Sequence, residues 1–312
     1  MKNYLLNYYS KFKCIANKCK HTCCAGWEIN IDDKTLSEYK SNQSAFSTTL
    51  KNGINFKKSK FKCNKNKRCA FLNDKGLCEI IINMGEKSLC QVCRDHPRFR
   101  SFFNDRIETG LGFCCEEATR IILTFKDKIM PTLVSDDANN LDVDFNQKNV
   151  LKFREKAIEI LQNRKIDIND RINDLLKACN ANFIDGDFKK ILKTFLSFEK
   201  IDKGWTKTLK SLPANFSRTT DQNLAHYCEQ FLVNSLYRHL SDAEDTMWVR
   251  ARTIACIFSW WIIKSVICAN RKESEDLLEL VISVTRAYSA EVEYSMKNLN
   301  KLFNFCYKFI RI

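Results

Sequence analysis

Glycine-rich turns of the kind that cradle a dinucleotide or an adenosyl cofactor are missing from this 312-residue chain. No G-x-G-x-x-G follows a strand pattern, and Gly110-Leu111-Gly112 is too short to serve, so a Rossmann-type cofactor site cannot be argued from the residues. Histidine is scarce: only His21, His96, His226 and His239 are present. The first two lie beside cysteines and are read as hydrogen-bonding partners of their loops, the other two as helix-surface or core residues. Long apolar runs are missing too. The most apolar stretch, Ile254 to Cys268, carries Lys264 and is shorter than the ~20 residues that span a bilayer. Asn3, Asn7, Ser10, Lys11 and Lys13 break up the opening residues, which leaves no export signal of the usual form. The expectation is a cytoplasmic protein, away from membranes, whose thiols face a reducing environment.

What the chain has is sulfur, concentrated at one end. Eleven of its sixteen cysteines fall within the first 115 residues, as Cys14-x4-Cys19-x3-Cys23-Cys24, then Cys63, Cys69-x8-Cys78, Cys90-x2-Cys93 and Cys114-Cys115. With 45% apolar residues the chain has enough material for a core, so disulfides are not needed in place of one. Converging thiolates instead suit zinc or an iron-sulfur cluster, and ligand type alone does not separate the two. Buried free thiols or an oxidised fold are the alternatives. Cys23 and Cys24 point apart in regular structure, so one of them is expected at a given site. A radical S-adenosylmethionine enzyme would show Cys-x3-Cys-x2-Cys, but Gly26 stands where the third cysteine is required. Cys179, Cys228, Cys256, Cys268 and Cys306 are scattered on helical patterns and read as buried apolar residues.

The net charge of +14 is uneven. Residues 1 to 115 hold 21 Lys+Arg against 10 Asp+Glu, and seven cations crowd between Lys57 and Arg68. Such a run reads as a solvated loop, as a field that draws an anionic partner, or as counter-charge for bound thiolates. Without interleaved aromatics it is a poor nucleic-acid surface. Six of eight glycines lie at or before Gly112, after which the pattern becomes helical. Phe188, Ile191, Leu192, Phe195 and Leu196 stripe a helix over 187–201. Thr220-Asp221 caps another, on which Leu224, Cys228, Phe231, Leu232, Ser235 and Leu236 share a face. Met247 to Cys268 and Glu275 to Tyr294 supply two more, the first apolar nearly all round and so central to a bundle. The fold class expected is mainly α. A loop-rich cysteine domain (1–134) precedes a helical domain (150–312), and the polar, acidic stretch 135–149 links them.

The run from Phe12 to Ile29, with Cys14, Cys19, Cys23, Cys24, Gly26 and Trp27, resembles the opening of the flagellin lysine-N-methylase family. So do Cys69-Ala-Phe-Leu, Gly76-Leu77-Cys78, Cys93-Arg-Asp-His-Pro97-Arg98, Cys114 with Glu116 and Glu117, and the later run from Glu229 to Arg238. The N-terminal part also resembles putative zinc- or iron-chelating cysteine proteins. The methylase resemblance implies an enzyme that moves methyl groups from S-adenosylmethionine to flagellin lysines and carries a 4Fe-4S cluster, with zinc the alternative metal and a non-catalytic chelating protein the alternative function. The residues matching its cysteine pattern are Cys14, Cys19, Cys23, Cys24, Cys69, Cys78, Cys93 and Cys114; Cys63, Cys90 and Cys115 are additional. Trp27 is a candidate wall of a lysine channel, and Glu28, Glu116 and Glu117 are candidate bases.

Overall fold

The computed structural model describes residues 1–136, 144–182, 187–213, 217–272, 274 and 276–311. In chain order the strands are β1 (Lys2–Leu6), β2 (Ile54–Asn55), β3 (Lys60–Phe61), β4 (Arg98–Phe102), β5 (Arg106–Leu111) and β6 (Pro131–Asp136). The helices are α1 (Asp33–Ser41), α2 (Ser47–Gly53), α3 (Glu79–Met84), α4 (Gln91–Asp95), α5 (Glu116–Thr124), α6 (Phe145–Leu161), α7 (Ile168–Ala178), α8 (Asp187–Leu196), α9 (Lys203–Lys210), α10 (Gln222–His239), α11 (Thr246–Asn270), α12 (Leu277–Glu291) and α13 (Met296–Tyr307). The chain is mainly α, as its periodicity indicates. Two compact units form, one from Met1–Phe12 with Phe99–Ile312, the other from Lys13–Arg98.

These divisions differ from those read at 134 and 150. A four-stranded sheet of order β4-β5-β1-β6, which the loop-rich reading does not anticipate, draws Met1–Phe12 into the helical unit. There β1 runs parallel to β5, with Lys2 opposite Arg106, and antiparallel to β6, with Leu6 opposite Pro131. Of the stretch read as a linker, residues 135 and 136 end β6, 137–143 lie outside the described residues, and Asp144 caps α6.

Tyr8, fully buried just beyond β1, donates its hydroxyl hydrogen to Asn234 Oδ1 on α10 and accepts from the Leu111 N–H at 3.1 Å; Asn234 Nδ2 returns to the Leu111 carbonyl at 3.1 Å. A buried polar group is tolerated when it is paired, and here the pairing locks strand to helix. The rest of the Glu229–Arg238 run does similar work. Gln230 donates to the carbonyls of Phe125 and Asp127, and Glu229 takes Arg171 and Arg164, each at 2.8 Å. His239 and Arg238 meet Glu293 at 2.9 and 3.2 Å. Polar residues on a helix this buried are therefore its tethers.

Around α10 the helices begin on side-chain caps, with Asp144, Asp167, Asp202, Asp245, Asp276 and Ser295 each accepting from an N–H of the first turn. Of the expected helices, 187–201 stops at Leu196, and the N–H groups of Ile201 and Asp202 turn to the Glu291 carboxylate. Helix α11, at 25 residues, is long and apolar enough to cross a bilayer, but 83% of its most apolar window is buried inside the protein. Its Lys264 donates to the carbonyls of Ser217 and Thr219, which explains a cation on an apolar helix. Cys179, Cys228, Cys256 and Cys306 are buried as read, whereas Cys268, near the end of α11, is exposed.

The unit Lys13–Arg98 has its own core of Ile29, Ile31, Leu36, Tyr39, Leu50, Ile54, Phe61, Phe71 and Ile80. Phe71 packs so closely on α2 that a Cβ at Gly53 would stand 2.4 Å from its ring, so only glycine fits there. Asp32 caps α1 through the Thr35 N–H at 3.0 Å and also accepts from the Gln91 N–H at 2.8 Å, tying α1 to the start of α4.

Two consequences are measurable. Glu229→Ala leaves Arg171 buried without its carboxylate, and unfolding by urea should show a loss of about 3 to 5 kcal/mol; a loss under about 1 kcal/mol would mean the pair is not structural. Burial alone would raise the pKa of Glu293, but Arg238 and His239 outweigh it and hold the carboxyl at about 2 against an ordinary 4.5. A depressed folded pKa stabilises above the unfolded value and is lost as pH falls through the folded one. Glu293→Gln should therefore flatten the acid limb of stability against pH between about 4.5 and about 2, read from urea midpoints.

Candidate metal centre

The unit Lys13–Arg98 gathers five thiols on one core. Cys69 and Cys90 are buried members of it, and Cys24, Cys78 and Cys93 pack against it half-buried. Backbone pairing sets them there: the Cys69 N–H donates to the Cys24 carbonyl at 2.8 Å, Cys63 bridges Cys69, and Leu72 bridges Cys78. The turn read at Asn73-Asp74-Lys75-Gly76 forms, closed by the Gly76 N–H on the Asn73 carbonyl at 3.0 Å, and it returns the chain to Cys78. Cys78 and Cys90 occupy the residues just before α3 and α4, where backbone amides of the first turn, those of Ile80 and Ile81 for Cys78 and of Val92 and Cys93 for Cys90, favour a thiolate.

The electrostatics are those of crowded sulfur. Hydrogen bonding from the Cys23 thiol, helped by Thr22 and Arg68, pulls Cys24 down to about 7 despite burial. Burial pushes Cys69 up to about 12, and nearby Cys24 and Cys78 add repulsion. Cys78 rises chiefly by burial, with Cys24 again adding to it. Between Cys90 and Cys93 one proton is shared: Cys90 is lowered by the Cys93 thiol, and Cys93 is raised as its donor. These sulfurs cannot all ionise side by side unless a cation among them cancels the repulsion. Among the described residues no three His, Cys, Asp or Glu side chains meet at one coordination point. The fit to a thiolate-bound metal or cluster is thus one of donor chemistry, not of finished geometry.

The other residues of the pattern lie elsewhere. Cys14 and Cys23 are exposed and Cys19 is half-buried in the same unit. The thiols of Cys23 and Cys24 interact rather than point apart, although only Cys24 packs on the core. Cys114 belongs to the helical unit, where its thiol is hydrogen-bonded with Tyr294 beside Arg238. Cys90, read as additional, is the most buried of the five gathered thiols. Its signal in the sequence was the Cys-x2-Cys spacing itself. Trp27 donates its indole N–H to the Cys23 carbonyl at 2.8 Å and keeps its ring 39% exposed. Glu28 pairs with Lys60, which lowers its pKa, so it is a weak proton acceptor. In the helical unit Glu116 and Glu117 face Arg120 at 3.9 and 3.4 Å. A cavity of about 10 Å³ between α10, α11, α12 and α13, lined by Ser235, His239 and Glu293, has room for about one water, not for a cofactor.

An alignment 128 positions long, covering 38% of the chain, is 27% identical to the flagellar biosynthetic protein FliU of Salmonella muenchen and spans 76% of that protein. Over 128 residues the chain is also 26% identical to lysine-N-methylases of Salmonella typhimurium and Salmonella choleraesuis, spanning 32% of each. No protein-family profile and no solved structure matches the chain.

A thiol reagent on metal-free protein should label Cys14 and Cys23 about tenfold or more ahead of Cys69 and Cys90, as read by peptide mass mapping. Early labelling of Cys90 would show that the core opens.

Proposed function

We propose that this chain acts in the transfer of methyl groups from S-adenosylmethionine to lysine side chains of flagellin, and that it depends on a 4Fe-4S cluster held by its N-terminal cysteines. The observation that carries the reading is the similarity to proteins named lysine-N-methylase and to a flagellar biosynthetic protein. The gathered thiols support it. Cys24, Cys69, Cys78 and Cys93 combine the expected pattern with a shared core, and they are the residues that would hold the cluster. Bound there, an iron-sulfur group supplies positive charge among thiolates and folding free energy to a loop-rich unit.

The protein's own task is set by the amine. A lysine of pKa near ~10.4 is neutral in about one molecule in 2,500 at pH 7, so presenting the free amine costs about 4.6 kcal/mol. Desolvation on an aromatic wall lowers that cost by disfavouring the ammonium, and a carboxylate then takes the proton. The exposed Trp27 ring, fixed by its bond to the Cys23 carbonyl, is placed to offer such a wall beside the cysteines. Glu28, next to it, is neutralised by Lys60 and unsuited to proton removal as it stands.

Anaerobically purified protein should be brown and contain iron with acid-labile sulfide. Cys93→Ser and Cys69→Ser should each lose metal, while Cys228→Ser and Cys306→Ser, buried in the helical unit, should retain it. Zinc without sulfide would replace the cluster by a zinc site. Failure of the loaded, reduced protein to methylate flagellin would remove the enzymatic reading and leave a metal-chelating protein.

A further inference from the structure

The seven cations between Lys57 and Arg68 are not equivalent once folded. Arg68 acts on a thiol, helping to lower Cys24, and Lys60 pairs with Glu28. Lys57, Lys58, Lys62, Lys65 and Lys67 are exposed, and none forms an ion pair among the described residues.

Nor do these lysines sit on a slack loop. Two turns carry them, and each is held in a left-handed backbone conformation without glycine, at Ser59 (φ 50°) and Lys67 (φ 56°), which is an arrangement that costs energy to maintain. In the first turn the Lys58 N–H bonds the Asn55 carbonyl at 3.2 Å and the Ile31 N–H bonds the Ser59 carbonyl at 2.7 Å. In the second, Asn64 Oδ1 accepts from the N–H groups of Asn66 (2.9 Å) and Arg68 (3.0 Å). That turn is stitched to the cysteine loop: the Gly26 N–H bonds the Lys67 carbonyl at 3.0 Å and Ala25 bridges Arg68. Lysines on two braced turns lose less freedom on binding than lysines on a mobile loop.

We propose that this pair of turns is a docking surface for an acidic polypeptide segment, which it brings up against the loop bearing Cys23 and Cys24. Glu28 pairs with Lys60 alone of these cations, so the field of the remaining lysines is positive and is matched by clustered Asp or Glu. Nucleic acid fits less well, because within the run Phe61 is buried and Phe56 lies half-buried under Lys40, so the lysines carry no interleaved aromatics; the exposed Trp27 ring on the adjoining loop is a face a base could stack on, and the DNA strand in the test addresses it. That the segment belongs to the methyl-accepting protein rests on the methyl-transfer reading; the binding does not.

The test uses the full chain, a fluorescent poly-glutamate peptide and a poly-thymidine strand of equal charge, with anisotropy read at about 50 mM and about 300 mM salt. Replacing Lys57, Lys58, Lys62 and Lys65 by Gln should weaken poly-glutamate binding about tenfold or more at low salt and by less at high salt. The same charge removed from the helical unit, as Lys152, Lys156, Lys207 and Lys210 to Gln, should change it less than about twofold. Lys67 is left in place because of its backbone conformation, and circular dichroism verifies that both variants fold. Equal losses in the two variants, or no loss in the first, would reduce the patch to overall charge and overturn the proposal; tighter binding of the DNA strand by the wild-type chain would overturn it in favour of nucleic acid. The readout involves neither methyl transfer nor bound metal, so loss of the enzymatic reading would leave it standing.

Discussion

The hydroxyl of Tyr8 stands at the junction on which the helical unit depends. It is wholly buried and paired with Asn234 and the Leu111 amide, so the end of β1, the end of β5 and the middle of α10 are fixed at one point. An unpaired hydroxyl there would cost more than the bond contributes, which makes the arrangement nearly all-or-none. Once β1 is held between β5 and β6, residues 13–98 must leave the unit and return to it, and they fold around a core of their own.

Within that second unit the governing constraint is repulsion between sulfurs. Five thiols share a core that also contains Tyr39, Phe61 and Phe71, and a low-dielectric surrounding magnifies each charge. The protein's own answers are partial: a proton shared between Cys90 and Cys93, Arg68 near Cys24, and amide dipoles at the starts of α3 and α4. Each lowers the cost of one thiolate. None neutralises the set, and this is the physical case for a bound cation. The exposed lysines of the neighbouring turns form no ion pair among the described residues, which leaves them available to a partner outside the chain.

Periodicity made the large helices legible, because a stripe such as Phe188, Ile191 and Phe195, or the unbroken apolar content of Ile254–Cys268, follows from local geometry. The sheet was not legible. Its strands come from residues 2–6, 98–111 and 131–136, and β1 pairs in parallel across about a hundred residues, a contact with no local signature. The Glu229–Arg238 run stood out as a motif, yet its meaning waited on the fold: Glu229, Gln230 and Asn234 look like surface residues until Arg171, Phe125 and Leu111 are found against them.

The sequence by itself concentrated the thiols in the N-terminal third of a chain whose ample apolar material does not need disulfides in place of a core. It also placed the basic run and the helical remainder. Which thiols share a core was decided by tertiary structure alone: the Cys24–Cys69 backbone pairing and the turn before Cys78 bring together residues up to 69 positions apart, leave Cys14 at the surface, and set Cys114 beside Tyr294 in the other unit. Spacing along a chain limits how near two sulfurs can come, but strand pairing and burial select which of them meet.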